Sequence, residues 1–235
     1  LTARLQAGAA ALGVALAPSQ LAQFEVLVRE LLRWNKAYNL TAITDPAEIL
    51  THHLLDSLSA QPDLAGTTVA DVGTGAGFPG LPLAIVNPGL HFTLIDAVDK
   101  KLRFIDHAAR ELGLGNVRTS HGRVEQLKPA QAFDTVITRA FAPLPRLCAW
   151  VAPLCDAHTR VIAMKGRWPP PATAAVRAPA PASRDRGQDA DGGDLPAGWQ
   201  IESVRPVVVP GLREERNIIL LRHAGGARDT LAAVP

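Results

Sequence analysis

From Thr67 onward, short runs rich in β-branched residues alternate with stretches of helical periodicity. The strand-like runs are TTVADV, HFTLID, NVRTSH, FDTVITR and RVIAMK, and KKLRFIDHAARELG is the plainest helix between them. Such alternation builds βαβ units, so residues 67–165 are expected to form a parallel sheet with helices on its faces, an α/β fold. The turns agree: Asn87-Pro88-Gly89 precedes the second strand, and Gly113 and Gly115 close the helix before the third. Further on, WQIESVRPVVVP and RNIILLR are joined by GLREE, which has no room for a helix. They predict an antiparallel hairpin.

Ahead of this region, Leu21, Phe24, Leu27, Val28, Leu31 and Leu32 recur at helical spacing after Pro18-Ser19 and predict an amphipathic helix to about Lys36. Asp45, Pro46 and Glu48 read as N-cap, first helical position and capping-box partner of a second helix, which carries His52, His53 and Asp56. Residues 1–60 are therefore expected as a helical extension, 61–222 as the main domain and 223–235 as a loose tail. Residues 169–198 contain six prolines and a single leucine, Leu195, and are expected as a disordered insertion.

Composition narrows the function classes. With 24 basic and 22 acidic residues, the chain is no general polyanion binder, and any nucleic-acid contact must come from local clusters. Cys148 and Cys155 lack CxxC spacing, which points away from a disulfide scaffold or a zinc site and toward core packing in a reducing compartment. No metal is expected. No apolar run reaches the roughly 18 residues of a membrane span. AAALGVALAP resembles a signal-peptide core, but Pro18 directly after Ala15-Leu16-Ala17 disfavours cleavage, so a cytoplasmic location is expected.

The first strand leads into DVGTGAGFPG, residues 71–80, at a strand-to-helix turn on the carboxyl edge of the expected sheet, where such folds bind ligands. Glycine there admits positive φ and lets a ligand lie against bare backbone. Asp96 ends the second strand, 25 positions after Asp71, where a carboxylate can hold the two hydroxyls of a ribose. Two frames overlap. Gly75 to Gly80 matches the dinucleotide spacing GxGxxG, whereas Asp71, Gly73, Gly75 and Gly77 match the acidic signature of S-adenosylmethionine-dependent methyltransferases. The second is preferred, because a carboxylate suits a sulfonium and an amino group better than a pyrophosphate, and Pro79 removes a donor that a pyrophosphate would use.

The blocks WNKAYNLT, HLLDS, DVGTGAGFPGLPLAIV, FTLIDAVDKKLRFI, RVEQL, FDTVITRAFAPL and MKG occur in order, and through them the chain resembles the RsmG/GidB family of bacterial 16S rRNA guanine-N7 methyltransferases. The resemblance runs from the first helix to about Arg222. It implies a class I, Rossmann-like methyltransferase fold whose mostly parallel seven-stranded sheet ends in an antiparallel hairpin. It also implies S-adenosylmethionine as cofactor, at Gly73, Phe78, Asp96, the pair Val124-Glu125 and Arg139. Ala97 departs from the serine frequent in the family and removes one hydrogen bond near the ribose. The implied substrate is a guanine in the 530 loop of 16S rRNA, naked or in a small-subunit assembly particle.

Several side chains have local alternatives. Asp96 and Val124-Glu125 also suit helix capping. Arg139 ends a buried strand and needs a partner, a protein carboxylate or the ligands themselves. His53 and Asp56 share a helix face that either walls the pocket or bonds locally. Lys165, Arg213, Arg216 and a first-helix stripe of Arg29, Arg33 and Lys36 are candidate RNA contacts, although Glu25 can pair with Arg29. Trp34 and Phe141 suit base stacking or core packing. Guanine N7 carries no proton, so no general base is assigned, and Arg139 is the candidate positioning group. The rivals are an NAD-dependent oxidoreductase, which lacks the Tyr-x-x-x-Lys pair because Tyr38 is followed by alanine at 42, and a noncatalytic RNA-binding protein.

Overall fold

The computed structural model describes residues 1–139, 141–168 and 194–224. Every strand-like run is a strand: β1 Thr68–Val72, β2 His91–Asp96, β3 Val117–His121, β4 Thr135–Arg139, β5 Arg160–Lys165, β6 Trp199–Val207 and β7 Arg216–His223. They form one seven-stranded sheet in the order β3-β2-β1-β4-β5-β7-β6. β1 to β5 pair in parallel, and β7 runs antiparallel between β5 and β6. Most of the expected insertion, at 169–193, and nearly all of the expected tail, at 225–235, lie outside the described residues.

The helices are α1 (Thr2–Ala11), α2 (Pro18–Tyr38), α3 (Pro46–Glu48), α4 (Asp56–Leu58), α5 (Gly80–Val86), α6 (Asp99–Glu111) and α7 (Leu144–Val151). A π-helical segment, Ile49–Leu55, joins α3 to α4. Because strand side chains alternate, the sheet feeds two cores. Val69, Leu94, Ile137 and Ile162 pack with Leu5, Phe24, Leu27, Leu54, Leu83 and Phe104 on one face. Val72, Val136, Val161 and Ile219 pack with Leu147 and Val151 of α7 on the other. Residues 1–60 thus share a core with the sheet. Phe24 and Phe104 are wholly buried, each worth about 2–3 kcal/mol of apolar transfer.

Two helix ends aim the chain at the sheet edge. α2 stops at Asn39, a left-handed C-cap with φ 48°, after which the Asn35 amide donates to Thr41 O and its oxygen accepts the Thr41 N–H, both at 2.9 Å. Asp45 caps α3 as expected, accepting from Ala47 and Glu48 N–H at 2.8 and 3.0 Å. The Glu48 side chain makes no return bond to Asp45 among the described residues, so the expected capping box is only half formed. No described helix is long and apolar enough to cross a membrane, and no group of three or more described His, Cys, Asp or Glu residues is placed to hold a metal ion.

The strand order runs outward from β1 on one side and from β4 on the other. The chain therefore diverges between the carboxyl ends of β1 and β4, the position where open α/β sheets form their ligand crevice. Gly73 and Arg139 stand there.

Candidate active site

The turn after β1 is a closed structure. Gly73 and Thr74 N–H both donate to Ile95 O, Gly75 N–H donates to Asp96 Oδ2 at 3.0 Å, and Gly77 and Phe78 N–H converge on Thr74 O. Gly80 N–H, first in α5, donates to Asp71 Oδ2 at 2.8 Å. With these donors bonded inside the protein and Pro79 having none, the turn has no N–H cradle for a pyrophosphate. That argues against the dinucleotide frame.

The three glycines after Asp71 face different surroundings, and all three have positive φ. A Cβ on Gly73 would lie 2.1 Å from Phe141 Cδ2, and one on Gly77 would lie 2.5 Å from Leu81 Cδ1. One on Gly75 would meet nothing within 4 Å. Gly77 is therefore a core-packing position, lining neither cavity described below, which corrects its placement among the cofactor contacts. Asp71 is corrected likewise. It is fully buried behind the turn, accepts from Thr74 Oγ1 and Gly80 N–H, and cannot touch a ligand in the crevice. Burial raises its carboxyl to about 6 despite those two bonds.

Two cavities meet at Gly73. The first, about 340 Å³, lies over the ends of β2 and β3 and is lined by Asp96, Val124, Glu125, Phe141 and Trp150. Asp96 Oδ1 accepts from Val98 N–H at 2.9 Å, and Lys101 Nζ lies 3.6 Å from Oδ2. Asp96 thus caps the entry to α6 and braces the glycine turn. A carboxylate offers about four lone-pair sites, so acceptor capacity remains on the cavity side.

The second cavity, about 460 Å³, lies between β1, β4, β5 and the π-helical segment. Gly75, Phe78, His53, Asp56, Arg139, Lys165 and Arg216 line it. Asp56 is 2% exposed and bridges two guanidiniums: Oδ2 accepts from Arg139 Nη1 at 3.1 Å and Oδ1 from Arg216 Nε at 3.0 Å. Arg139 Nη1 also donates to His52 O at 2.6 Å. At the end of the π-helical segment the helix N–H groups go to Thr51 O and His53 O, and the carbonyl between them is the one Arg139 takes. The partner expected for Arg139 is thus a protein carboxylate.

Arg216, a candidate RNA contact, lies deeper than Arg213. As first residue of the reversed strand β7 it reaches the carboxyl edge of the parallel strands and stands inside the cavity. Lys165 also lines this cavity and donates to Ala142 O at 2.5 Å. Arg213 is exposed on the β6–β7 turn and lines a separate groove with Trp168 and Leu212. Arg33 lines neither cavity. It and Arg29, on α2, pair with the buried Glu30, which also accepts from His107, so one carboxylate offsets part of that helix's positive stripe. Glu25 instead accepts from the Thr2 hydroxyl. Trp34 stacks on Tyr38 and packs against Phe104 and His107, and Cys148 is wholly buried. Leu40, Thr41, Ile43 and Met164 line the larger cavity without having been singled out, although the blocks WNKAYNLT and MKG contain all but Ile43.

His53 stacks on Phe78 with ring centroids 4.6 Å apart, bonds Thr41 Oγ1 through Nε2 at 2.9 Å, and meets Arg139 Nη2 at Nδ1. Burial and the adjacent guanidinium lower it to about 4. Because this folded-state value lies below the ordinary 6.5, the unfolded chain takes up a proton first, and stability is lost as pH falls from 6.5 through 4. The stability deficit of His53→Gln at pH 7 should therefore shrink by roughly 2–3 kcal/mol at pH 4.5, since the variant has no such proton to exclude. Asp71 acts in the opposite sense but is common to both proteins. Equal acid sensitivity in urea titrations of the two would contradict this.

A family model described as rRNA small subunit methyltransferase G matches residues 20–179. Relatives named Ribosomal RNA small subunit methyltransferase G are 40% identical over 212 residues in Erwinia tasmaniensis, covering 90% of this chain and 94% of the relative. The one in Azoarcus sp. is 42% identical over 219 residues (93% and 94%), and that in Xanthomonas euvesicatoria 43% over 192 (82% of each). Among solved structures, a SAM dependent methyltransferase from Aquifex aeolicus shares the fold with a TM-score of 0.51 at 17% identity, covering 76% of this chain and 94% of its own. A variant of MtNAS in complex with S-adenosylmethionine does so with a TM-score of 0.51 at 16% identity, covering 95% and 77%. The family model takes in the glycine turn, the Asp56 helix and Arg139 together, and with the near full-length relatives it shows that the chain belongs to the rRNA small subunit methyltransferase G family.

Proposed function

We propose that this protein transfers the methyl group of S-adenosylmethionine to N7 of a guanine in the 530 loop of 16S rRNA, within the small ribosomal subunit or a particle assembling toward it, in the cytoplasm. Methylation of small-subunit rRNA is the family's activity. The observation that carries the finer reading is the pair of cavities joined at Gly73, one with Ile95, Val124, Phe141 and Trp150 beside Asp96 and Glu125, the other with Arg139, Lys165 and Arg216 around Asp56. Ile95, Val124 and Phe141 suit a purine, Asp96 a ribose diol, and Glu125 the adenine edge. Gly73, Gly75, Phe78 and Arg139 border the side where the amino-acid end belongs.

When bound, S-adenosylmethionine supplies an electrophilic methyl group on sulfonium: the N7 lone pair forms the new N–C bond as the S–C bond breaks, its electron pair stays on sulfur, and no proton leaves. The protein's task is alignment, which accounts for much of the acceleration in bimolecular reactions. Arg139, locked by Asp56, His52 O and the Phe78 ring 5.8 Å from its Cζ, is the positioning residue. Lys165, at the rim of β5, suits the approaching RNA backbone, and Arg213 and Arg33 remain outlying candidates.

Purified protein should bind S-adenosylmethionine and S-adenosylhomocysteine in calorimetry but not NAD. It should leave one borohydride- and aniline-sensitive site in 16S rRNA, with a single-turnover rate that does not show the fall toward low pH of an essential enzyme base. Methylation at a carbon or an exocyclic nitrogen would refute the N7 reading.

A further inference from the structure

Beside N7, guanine presents the acceptor O6 where adenine presents an N6–H₂ donor, so a fixed cationic donor next to N7 separates the two bases. Three cations line the larger cavity, and their hydrogen bonds differ. Arg139 has both terminal nitrogens engaged, Nη1 with His52 O and Asp56 and Nη2 with His53. Lys165 Nζ is directed to Ala142 O. Arg216 is held at two other atoms, Nε on Asp56 at 3.0 Å and Nη1 on Glu215 O at 3.0 Å, and Nη2 has no hydrogen-bond partner among the described residues. Its side chain is 22% exposed, so it is fixed at its base and open at its tip.

Resting on the N7 reading above, we propose that Arg216 determines base specificity by donating from Nη2 to O6 of the target guanine. Asp56 acts as a positioning residue. Its two oxygens hold Arg216 and Arg139 in one arrangement, which leaves it poorly disposed to accept from N1–H and the 2-amino group. The site therefore reads the N7–O6 edge of the base and ignores the 2-amino group.

The test uses full-length protein and 16S rRNA in which the target guanosine is replaced by inosine, which keeps O6 and lacks the 2-amino group, or by 2-aminopurine, which lacks O6. Single-turnover rates are read at saturating RNA and S-adenosylmethionine. Inosine should react within about threefold of guanosine. 2-Aminopurine should be slower by about 10- to 150-fold, the range for one hydrogen bond from a charged donor. In Arg216→Ala the guanosine to 2-aminopurine ratio should fall to within about threefold, which also corrects for any difference in intrinsic N7 reactivity, while Arg216→Lys should keep part of it. If wild-type protein methylates guanosine at N7 and 2-aminopurine equally fast, or if the ratio persists in folded Arg216→Ala, the assignment is overturned. Equal wild-type rates overturn the assignment even where Arg216→Ala fails to fold, and the ratio in Arg216→Lys, which should fall below the wild-type value, then carries the comparison. Guanosine left unmethylated at N7 defeats the underlying reading instead, and this proposal with it.

Discussion

Replacing Asp56 with alanine is expected to lower stability by about 3–5 kcal/mol and to reduce methylation at least 100-fold. The carboxylate is 2% exposed and is the shared partner of Arg139 and Arg216. Its removal leaves two guanidiniums facing each other across a small buried gap, the situation in which breaking a buried pair is most costly. For a chain of this size that corresponds to a fall in Tm of roughly 6–20 °C. Asp56→Asn, which keeps one acceptor oxygen, should recover part of the stability and less of the activity. A change below about 1 kcal/mol in Asp56→Ala, measured by urea denaturation, would show that the two arginines find other partners and that the bridge is dispensable.

Gly75→Val is expected to eliminate cofactor binding, at least a 100-fold loss in affinity, while the fold survives. The residue has φ +61°, so any L side chain there costs about 1–2 kcal/mol, and a β-branched one more. The new side chain meets no protein atom within 4 Å of its Cβ and projects toward the larger cavity. Gly77→Ala provides the contrast, since its Cβ runs into Leu81 and should lower Tm more than affinity. Calorimetry with S-adenosylhomocysteine on both variants separates the two effects. Near-normal affinity in folded Gly75→Val would remove the glycine turn from the binding site.

The central strands β1, β2, β4 and β5 were legible because each is a compact β-branched run between turn residues, and burial keeps those runs apolar, whereas the edge strands β3 and β6 are half-buried to exposed and carry polar residues throughout. α1 was less so. Its buried face is Leu5 with the small residues Gly8 and Ala9, and a Cβ on Gly8 would lie 2.5 Å from Leu55 Cδ1, so close packing replaces most of the large apolar stripe that marks α2. In the site, spacing located the turn and Asp96 but could not distinguish a glycine facing ligand space from one facing Leu81, because both carry positive φ. Nor could spacing show that Arg216, 160 positions from Asp56, would share its carboxylate. That contact follows from the reversal of β7, which brings the first residue of one strand to the last residues of the others.

The π-helical segment ties the site to chain length in a particular way. A wide turn holds one residue more than an α turn, so deleting a single position between Ile49 and Leu55 would let it close to ordinary α geometry with the flanking turns nearly in phase. Such a deletant is expected to keep both its helix content and the direction of Asp56 toward Arg139 and Arg216. A deletion in regular α-helix, by contrast, rotates everything beyond it by about 100° about the axis. A second deletion in the segment would do the same and carry Asp56 away from both arginines. The wide turn is thus a reserve of one residue, and no more, between the Asp45 cap and the site.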